Sequence, residues 1–196
     1  IRGEQVTGAL LAARGAALRY FRHPFLHTGL DLETKTALED FLAQRGYRVA
    51  PVTIDNAEWI FARAYDEALD RDDDSLQARL GHEYLEYMMR MVEFYEGQSR
   101  GLFDREIPQV LLLHANALNA DHLGELLEAL RLRGYRFVDL DKALQDPAYS
   151  SEDTYTDPGG ITWLHRWALT RAVDPSLFRG EPTTAAWVQE VAGIQE

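Results

Sequence analysis

The sequence predicts an α/β fold built on parallel strands, and three observations support this prediction. Short apolar runs alternate with longer amphipathic segments through residues 1–145, which is the order that builds a parallel sheet. The apolar run from Val110 to Leu113 ends abruptly in His114, as a buried parallel strand does at the catalytic edge of an α/β enzyme. The 196 residues, 46% hydrophobic and 27% charged, suit one globular domain with a sizeable core.

Each element is bounded by residues that suit its ends. Gly15, Gly46 and Gly134 stop helices, and Pro24 ends the first strand because proline has no N–H for a sheet ladder. The predicted elements are a helix over 4–13, a strand over 16–21, a helix over 31–45, a strand over 48–54, helices over 57–70 and 75–96, a strand over 109–114, a helix over 121–133 and a strand over 135–138. Four strands are too few to close a barrel by themselves.

The apolar residues of these helices recur at helical spacing and predict buried faces. The stripe of the longest helix contains several aromatic residues, so it could be read as a ligand box, but core packing is the simpler interpretation. The predicted buried residues are Val6, Leu10 and Ala13 in the first helix, Ala37, Leu38, Phe41 and Leu42 in the second, and Leu76, Leu80, Tyr84, Tyr87, Met88, Met91 and Tyr95 in the longest.

The sequence becomes more polar after Leu144. This change divides the chain into residues 1–145 and a C-terminal extension over 146–196. A polar loop leads to Asp157-Pro158, a good helix start, and a further helix carries Trp163 and Trp167 one turn apart. We expect this extension to pack on the α/β part. Packing explains its tryptophans more simply than sugar stacking does.

Composition narrows the classes of partner. The formal net charge of −12 argues against nucleic acid and against an anionic membrane surface, and it suits a neutral partner such as a sugar. The chain has no cysteine, which excludes disulfides and cysteine-based zinc sites. No apolar run is long enough to insert across a membrane.

Three predicted strands end in residues able to do chemistry: Arg22, the pair Asp55 and Glu58, and His114. The carboxyl ends of parallel strands share one edge, so these side chains are expected to lie together. Each also has an ordinary interpretation. Arg22 could form a surface salt bridge, Asp55 and Glu58 fit a helix capping box, and a lone histidine at a strand end is commonly structural.

The same strand ends carry a family resemblance. Phe21-Arg22-His23-Pro24-Phe25 resembles the R-x-P-[FY] motif of the NodB-type polysaccharide deacetylases, carbohydrate esterase family 4. Asp55-Asn56-Ala57-Glu58-Trp59 is similar to that family's D-x-x-D-W motif, with Glu58 in place of the usual aspartate, and Leu112-Leu113-His114 is similar to its L-x-H motif. The resemblance implies an incomplete (β/α)7-type barrel of the deacetylase fold, with the later strands only and a C-terminal helical extension.

The resemblance also implies a metal-dependent hydrolase that removes acetyl groups from a polysaccharide or acetylated sugar. In the family, zinc or another divalent ion is held by the T-F-D-D and H-[ST]-x-x-H motifs, and neither motif occurs in this sequence. We therefore expect no metal ligand in this chain, a missing N-terminal segment that carries the metal, and no activity from the chain alone. The resemblance favours a periplasmic or secreted location.

The resemblance assigns two sets of residues. His114 would protonate the leaving amine, Arg22 would hold the base carboxylate, and Glu58 would help keep His114 protonated. Trp59 and Leu112 would line the acetyl pocket, and Phe25 and the backbone near Pro24 would shape the substrate groove. The implied catalytic residues are His114, Arg22, Glu58 and Asp55, and the implied substrate-binding residues are Pro24, Phe25, Trp59 and Leu112.

Two other functions stay open. A deacetylase-like protein without a metal triad would bind carbohydrate without catalysis. An unrelated α/β hydrolase is the third possibility, although the sequence lacks G-x-S-x-G and cysteine, the usual nucleophile signals. The sequence does not specify the acetylated substrate, the metal or the oligomeric state.

Overall fold

The computed structural model describes residues 2–194 and shows a mostly helical protein. Helices account for 58% of the residues and strands for 3%, so the predicted α/β barrel of the deacetylase fold is wrong. The α-helices are α1 (Arg2–Ala12), α2 (Leu32–Gln44), α3 (Glu58–Asp70), α4 (Asp74–Phe103), α5 (Ala117–Leu132), α6 (Leu140–Ala143), α7 (Trp163–Thr170) and α8 (Ala186–Ala192). Within the described residues, three short 3-10 helices lie at Pro24–Leu26, Pro147–Ser150 and Pro175–Phe178.

Strand pairing in the described residues is limited to two places. Strands β1 (Tyr20–Phe21) and β2 (Arg48–Val49) pair in parallel, and an isolated parallel bridge joins Ile54 to Leu111. The predicted strands over 16–21, 48–54 and 109–114 therefore shrink to these contacts, and the strand over 135–138 does not form.

Side chains and prolines explain why the ladders stop. Pro51 follows β2 and cannot donate to a ladder. Beyond it, the N–H of Val110 donates to the Thr53 hydroxyl at 2.7 Å instead of to a backbone carbonyl. A cavity of about 1110 Å³ is lined by residues 107–111 and 133–138. No backbone hydrogen bond joins these two segments.

The helix predictions from residues 31 to 133 are confirmed, but some predicted faces are not. The Asp31 side chain caps α2 by accepting the Thr34 N–H at 2.7 Å, and α4 continues seven residues past its predicted end, to Phe103. In α1, Val6 and Leu10 are 65% and 64% exposed, so the predicted buried face of this helix is wrong.

The second helix also differs from its predicted stripe. Leu42 is buried, but Ala37 and Phe41 are exposed, and the buried side chain near the start of α2 is Lys35. The apolar stripe therefore does not define the buried face of α2.

The core lies where α3, α4 and α5 pack together, with α8 on α3 and α7 on α4. The aromatic stripe of α4 is buried in this core, including Tyr84 and Tyr87. Trp167 is 1% exposed and also packs there. Helix α7 begins at Trp163, later than Asp157-Pro158 predicts, because Thr162 caps it. Among residues 2–194, no helix combines the length and the apolarity needed to cross a bilayer.

Candidate functional site

The site is centred on the side-chain contact between Glu58 and His114. The bridge between Ile54 and Leu111 brings the start of α3 beside the segment that leads to α5. Glu58 Oε2 lies 2.8 Å from His114 Nδ1. The side chain of Glu58 is 1% exposed, whereas that of His114 is 50% exposed. The buried carboxylate therefore fixes Nδ1, while half of the His114 side chain stays exposed.

Two asparagines hold the other oxygen of this carboxylate. Asn119 Nδ2 donates to Glu58 Oε1 at 2.6 Å and to the carbonyl of His114 at 2.8 Å, and Asn116 Nδ2 also donates to Oε1. Asn116 is the N-cap of α5, and its Oδ1 accepts the Asn119 N–H at 2.8 Å. The Tyr84 hydroxyl donates to Asn119 Oδ1 at 2.7 Å, which fixes the orientation of that amide.

Asn56 joins the two segments that carry this contact. Its Nδ2 donates to the Leu112 carbonyl at 2.8 Å, and its Oδ1 accepts the Glu58 N–H at 2.9 Å. Asp55 instead accepts the Asn56 N–H at 2.9 Å. The capping-box interpretation of Asp55 and Glu58 is therefore wrong, because Asn56 satisfies the helix end that Asp55 would have capped.

Burial and nearby charges shift the pKa values of Asp55 and Tyr84, which lie around the Glu58 and His114 pair. Burial raises the pKa of the Asp55 carboxyl, and the Asn56 N–H, His114 and Arg22 act in the opposite direction. Burial and the charge of Glu58 raise the pKa of Tyr84. Tyr84 therefore stays protonated and remains a hydrogen-bond donor. Arg22 is exposed and close enough to act electrostatically on Asp55.

The predicted substrate-binding residues are mostly at the surface. Trp59 is 51% exposed and Phe25 is 94% exposed, whereas Leu112 is half-buried. Phe25 and Leu26 have φ angles of 52° and 55°, and Leu26 is buried. The left-handed region costs a residue with a Cβ about 1–2 kcal/mol, so the surrounding structure must hold this turn in place. Pro24 is exposed and begins the 3-10 helix.

Sequence reasoning missed the residues that hold Glu58. A signal existed for Asn116, because asparagine just before an apolar helical pattern is a typical N-cap. Asn119 lies three residues further on and gave no separate signal. Tyr84 was predicted only as core, because helical spacing does not show which buried hydroxyl has a polar partner.

The described residues form no metal centre of their own. Between residues 2 and 194, no group of three His, Cys, Asp or Glu side chains is arranged to hold a metal ion. The candidate site therefore consists of the Glu58 and His114 pair, its amide network and the exposed aromatic residues nearby in sequence.

Comparisons add no family or relative to this geometry. No family model matches the chain, and neither the curated proteins nor the solved structures give a match. Functional inference consequently depends on the site itself.

Proposed function

We propose that this chain takes part in hydrolysing acetyl groups from an acetylated carbohydrate, N-acetyl groups rather than O-acetyl groups, with His114 as the proton-transfer residue. The observation that carries the proposal is the 2.8 Å contact between the buried Glu58 and the half-exposed His114. A histidine oriented by a carboxylate through one nitrogen can exchange a proton with a ligand through the other.

The reaction needs this proton transfer because an amide nitrogen leaves poorly without a proton. Water adds to the acetyl carbonyl carbon and gives up its two protons to the solvent as acetate forms. The C–N bond breaks, the leaving nitrogen takes a proton from Nε2 of the imidazolium, and the neutral imidazole then regains a proton from the solvent. The products are acetate and the free amine. Glu58 orients the ring throughout, and Asn116 and Asn119 orient Glu58. Since the described residues offer no metal site, the proposal assigns no step to a metal.

The exposed aromatic residues suit a sugar. Trp59 directly follows Glu58 in α3, and Phe25 lies three residues after Arg22, which acts on Asp55. The apolar faces of pyranose rings stack on such side chains, and a net charge of −12 suits a neutral ligand better than an anionic one.

A second candidate function is carbohydrate binding without catalysis. The observation that favours it is that residues 2–194 contain no group of ligands for the metal that the resemblance implies. In this case the aromatic residues would bind the sugar and His114 would only donate a hydrogen bond.

One experiment separates the two functions. Acetate release from an N-acetylated chitooligosaccharide is measured with the chain as printed, and with the chain extended by the metal-binding segment that the resemblance implies. Each protein is assayed with zinc and with a chelator. Oligosaccharide binding is followed in parallel by NMR, at the indole of Trp59.

The variant His114→Ala is compared with His82→Ala, whose side chain is 76% exposed on α4. We expect His114→Ala to lower kcat by roughly 10²–10⁴-fold and His82→Ala to leave it unchanged. Equal rates for His114→Ala and the wild type would remove His114 from the mechanism. Binding without acetate release from either protein would favour the non-catalytic function, and the absence of both would refute both functions.

A further inference from the structure

The turn that presents Phe25 is held from the C-terminal extension. We call residues 23–28 the Phe25 turn and residues 153–166 the tail segment. Within the turn, the Leu26 N–H donates to the His23 carbonyl at 3.0 Å. Phe25 and Leu26 are successive left-handed residues, and the Phe25 ring points almost wholly into solvent. The ring gains little from burial, so packing of its own side chain cannot hold the turn in this conformation.

The tail segment contacts this turn at its backbone. A Cβ at Gly160 would overlap the carbonyl oxygen of Phe25, so the two chains lie directly against each other. The N–H of Trp163 donates to the Val52 carbonyl at 2.8 Å, which anchors the tail segment beside the bridge to Leu111. Only glycine fits at position 160 without displacing the Phe25 turn.

A network of buried charged residues holds the C-terminal end of the Phe25 turn, at Thr28. Arg166 is fully buried, and its Nη2 donates to the Thr28 hydroxyl at 2.6 Å and to the Tyr155 carbonyl at 3.0 Å. Its Nε donates to Asp153 at 2.8 Å, and Asp153 also pairs with the buried Lys35 at 2.8 Å. Buried charges of this kind keep their geometry because breaking one contact leaves an unpaired charge.

We infer that the tail segment is a positioning element for substrate recognition: Arg166 and Gly160 hold the Phe25 turn so that the Phe25 ring forms a platform for a pyranose ring of the acetylated carbohydrate. This inference rests on the proposed function. It explains the combination of a strained turn, a buried network beneath it and an aromatic ring exposed above it. Arg166 does not contact the sugar in this arrangement and acts through the Phe25 turn.

The test uses variants that loosen the turn by different routes. Thr28→Val keeps the side-chain shape and removes the hydroxyl that accepts from Arg166, and Arg166→Met removes the donor. The matched control is Arg171→Met at the end of α7, whose guanidinium donates to Ser151 and to the Leu102 carbonyl. Phe25→Ala removes the platform itself.

Two measurements are made on each variant of the chain. Hydrogen exchange is followed at the Leu26 and His27 amides, which donate to His23 and Pro24 carbonyls within the turn. Affinity for an N-acetylated chitooligosaccharide is measured by titration. We expect Thr28→Val and Arg166→Met to speed exchange at these two amides and to weaken binding up to the loss seen for Phe25→Ala, about tenfold, while Arg171→Met changes neither.

The outcomes separate this inference from the proposed function. Faster exchange with unchanged affinity would overturn the role in recognition, and unchanged exchange in both Thr28→Val and Arg166→Met would overturn the positioning role. If the wild type binds no oligosaccharide, the proposed function and the recognition role fail together. The exchange data would then still show whether the tail segment holds the turn.

Discussion

The amide of Asn119 links Tyr84 to the buried carboxylate of Glu58, so removing it should have a large and specific effect. Asn119→Ala removes the 2.6 Å hydrogen bond to Glu58 Oε1, and bonds to charged groups contribute about 1.5–3 kcal/mol. It also leaves the hydroxyl of the buried Tyr84 without its acceptor, at a cost of about 1–3 kcal/mol. We expect the free energy of unfolding to fall by about 3–5 kcal/mol in total.

A double-mutant cycle with Tyr84→Phe isolates the shared hydrogen bond. Alone, Tyr84→Phe should lower the free energy of unfolding by about 1–2 kcal/mol, because it leaves Asn119 Oδ1 buried without its donor. In the Asn119→Ala background the same change should restore part of the lost stability, since it removes a buried hydroxyl that has no acceptor left. Tyr65→Phe is the matched control, because the Tyr65 hydroxyl donates to Asp121, outside the network.

Urea unfolding measures these free energies, and ¹⁵N NMR of the His114 ring measures the state of the site. In the wild type, the neutral ring should carry its proton on Nδ1, facing Glu58, and Asn119→Ala should mix the two tautomers. Additive effects of Asn119→Ala and Tyr84→Phe, within about 0.5 kcal/mol, would refute the network. Coupling of similar size between Asn119→Ala and Tyr65→Phe would also refute it.

Two further predictions concern stability away from the site. Burial lowers the pKa of His165 from 6.5 to about 4. Between these two pH values the unfolded chain binds more protons than the folded chain. The free energy of unfolding should therefore fall by roughly 3 kcal/mol as the pH drops through this range. His165→Leu should abolish most of this difference between urea unfolding at about pH 7 and about pH 4.5, and an unchanged difference would contradict it. Gly81→Ala should destabilise the protein by about 1–3 kcal/mol, because the new Cβ would overlap the His122 ring. Gly97→Ala in the same helix meets no neighbouring atom and should stabilise it by up to about 1 kcal/mol, so equal thermal shifts in the two variants would exclude the clash.

The helices could be predicted because their signals are local. Asp31 caps α2 as an N-cap residue should, and Gly46 follows the end of that helix with a φ of 74°. Their buried faces were harder to predict. Lys35 is buried because it pairs with Asp153, which lies 118 positions away in the chain. No helical periodicity indicates that partner.

The strands failed for a similar reason. Apolar runs such as 109–113 predict extended chain, but a ladder also needs a partner whose backbone is free to pair. The Thr53 hydroxyl accepts the Val110 N–H that a ladder would have used, and the sequence of neither segment alone predicts this hydrogen bond. The contact of Glu58 with His114 was expected from the resemblance, whereas the support from Asn119 depends on where α4 and α5 meet. The implied catalytic and binding roles stay predictions.

The separation of Glu58 and His114 along the chain has a consequence for folding. The two residues are 56 positions apart, and the whole of α4 lies between them. Closing a flexible loop of that length costs about 3–4 kcal/mol of chain entropy, which α4 can reduce only after it has formed and packed. The contact between Glu58 and His114 is therefore long-range in sequence. It should form with the global folding transition and not before it. A partly folded chain that kept some helix would lose the contact between Glu58 and His114, so the His114 ring signal would report on native structure more strictly than helical content does.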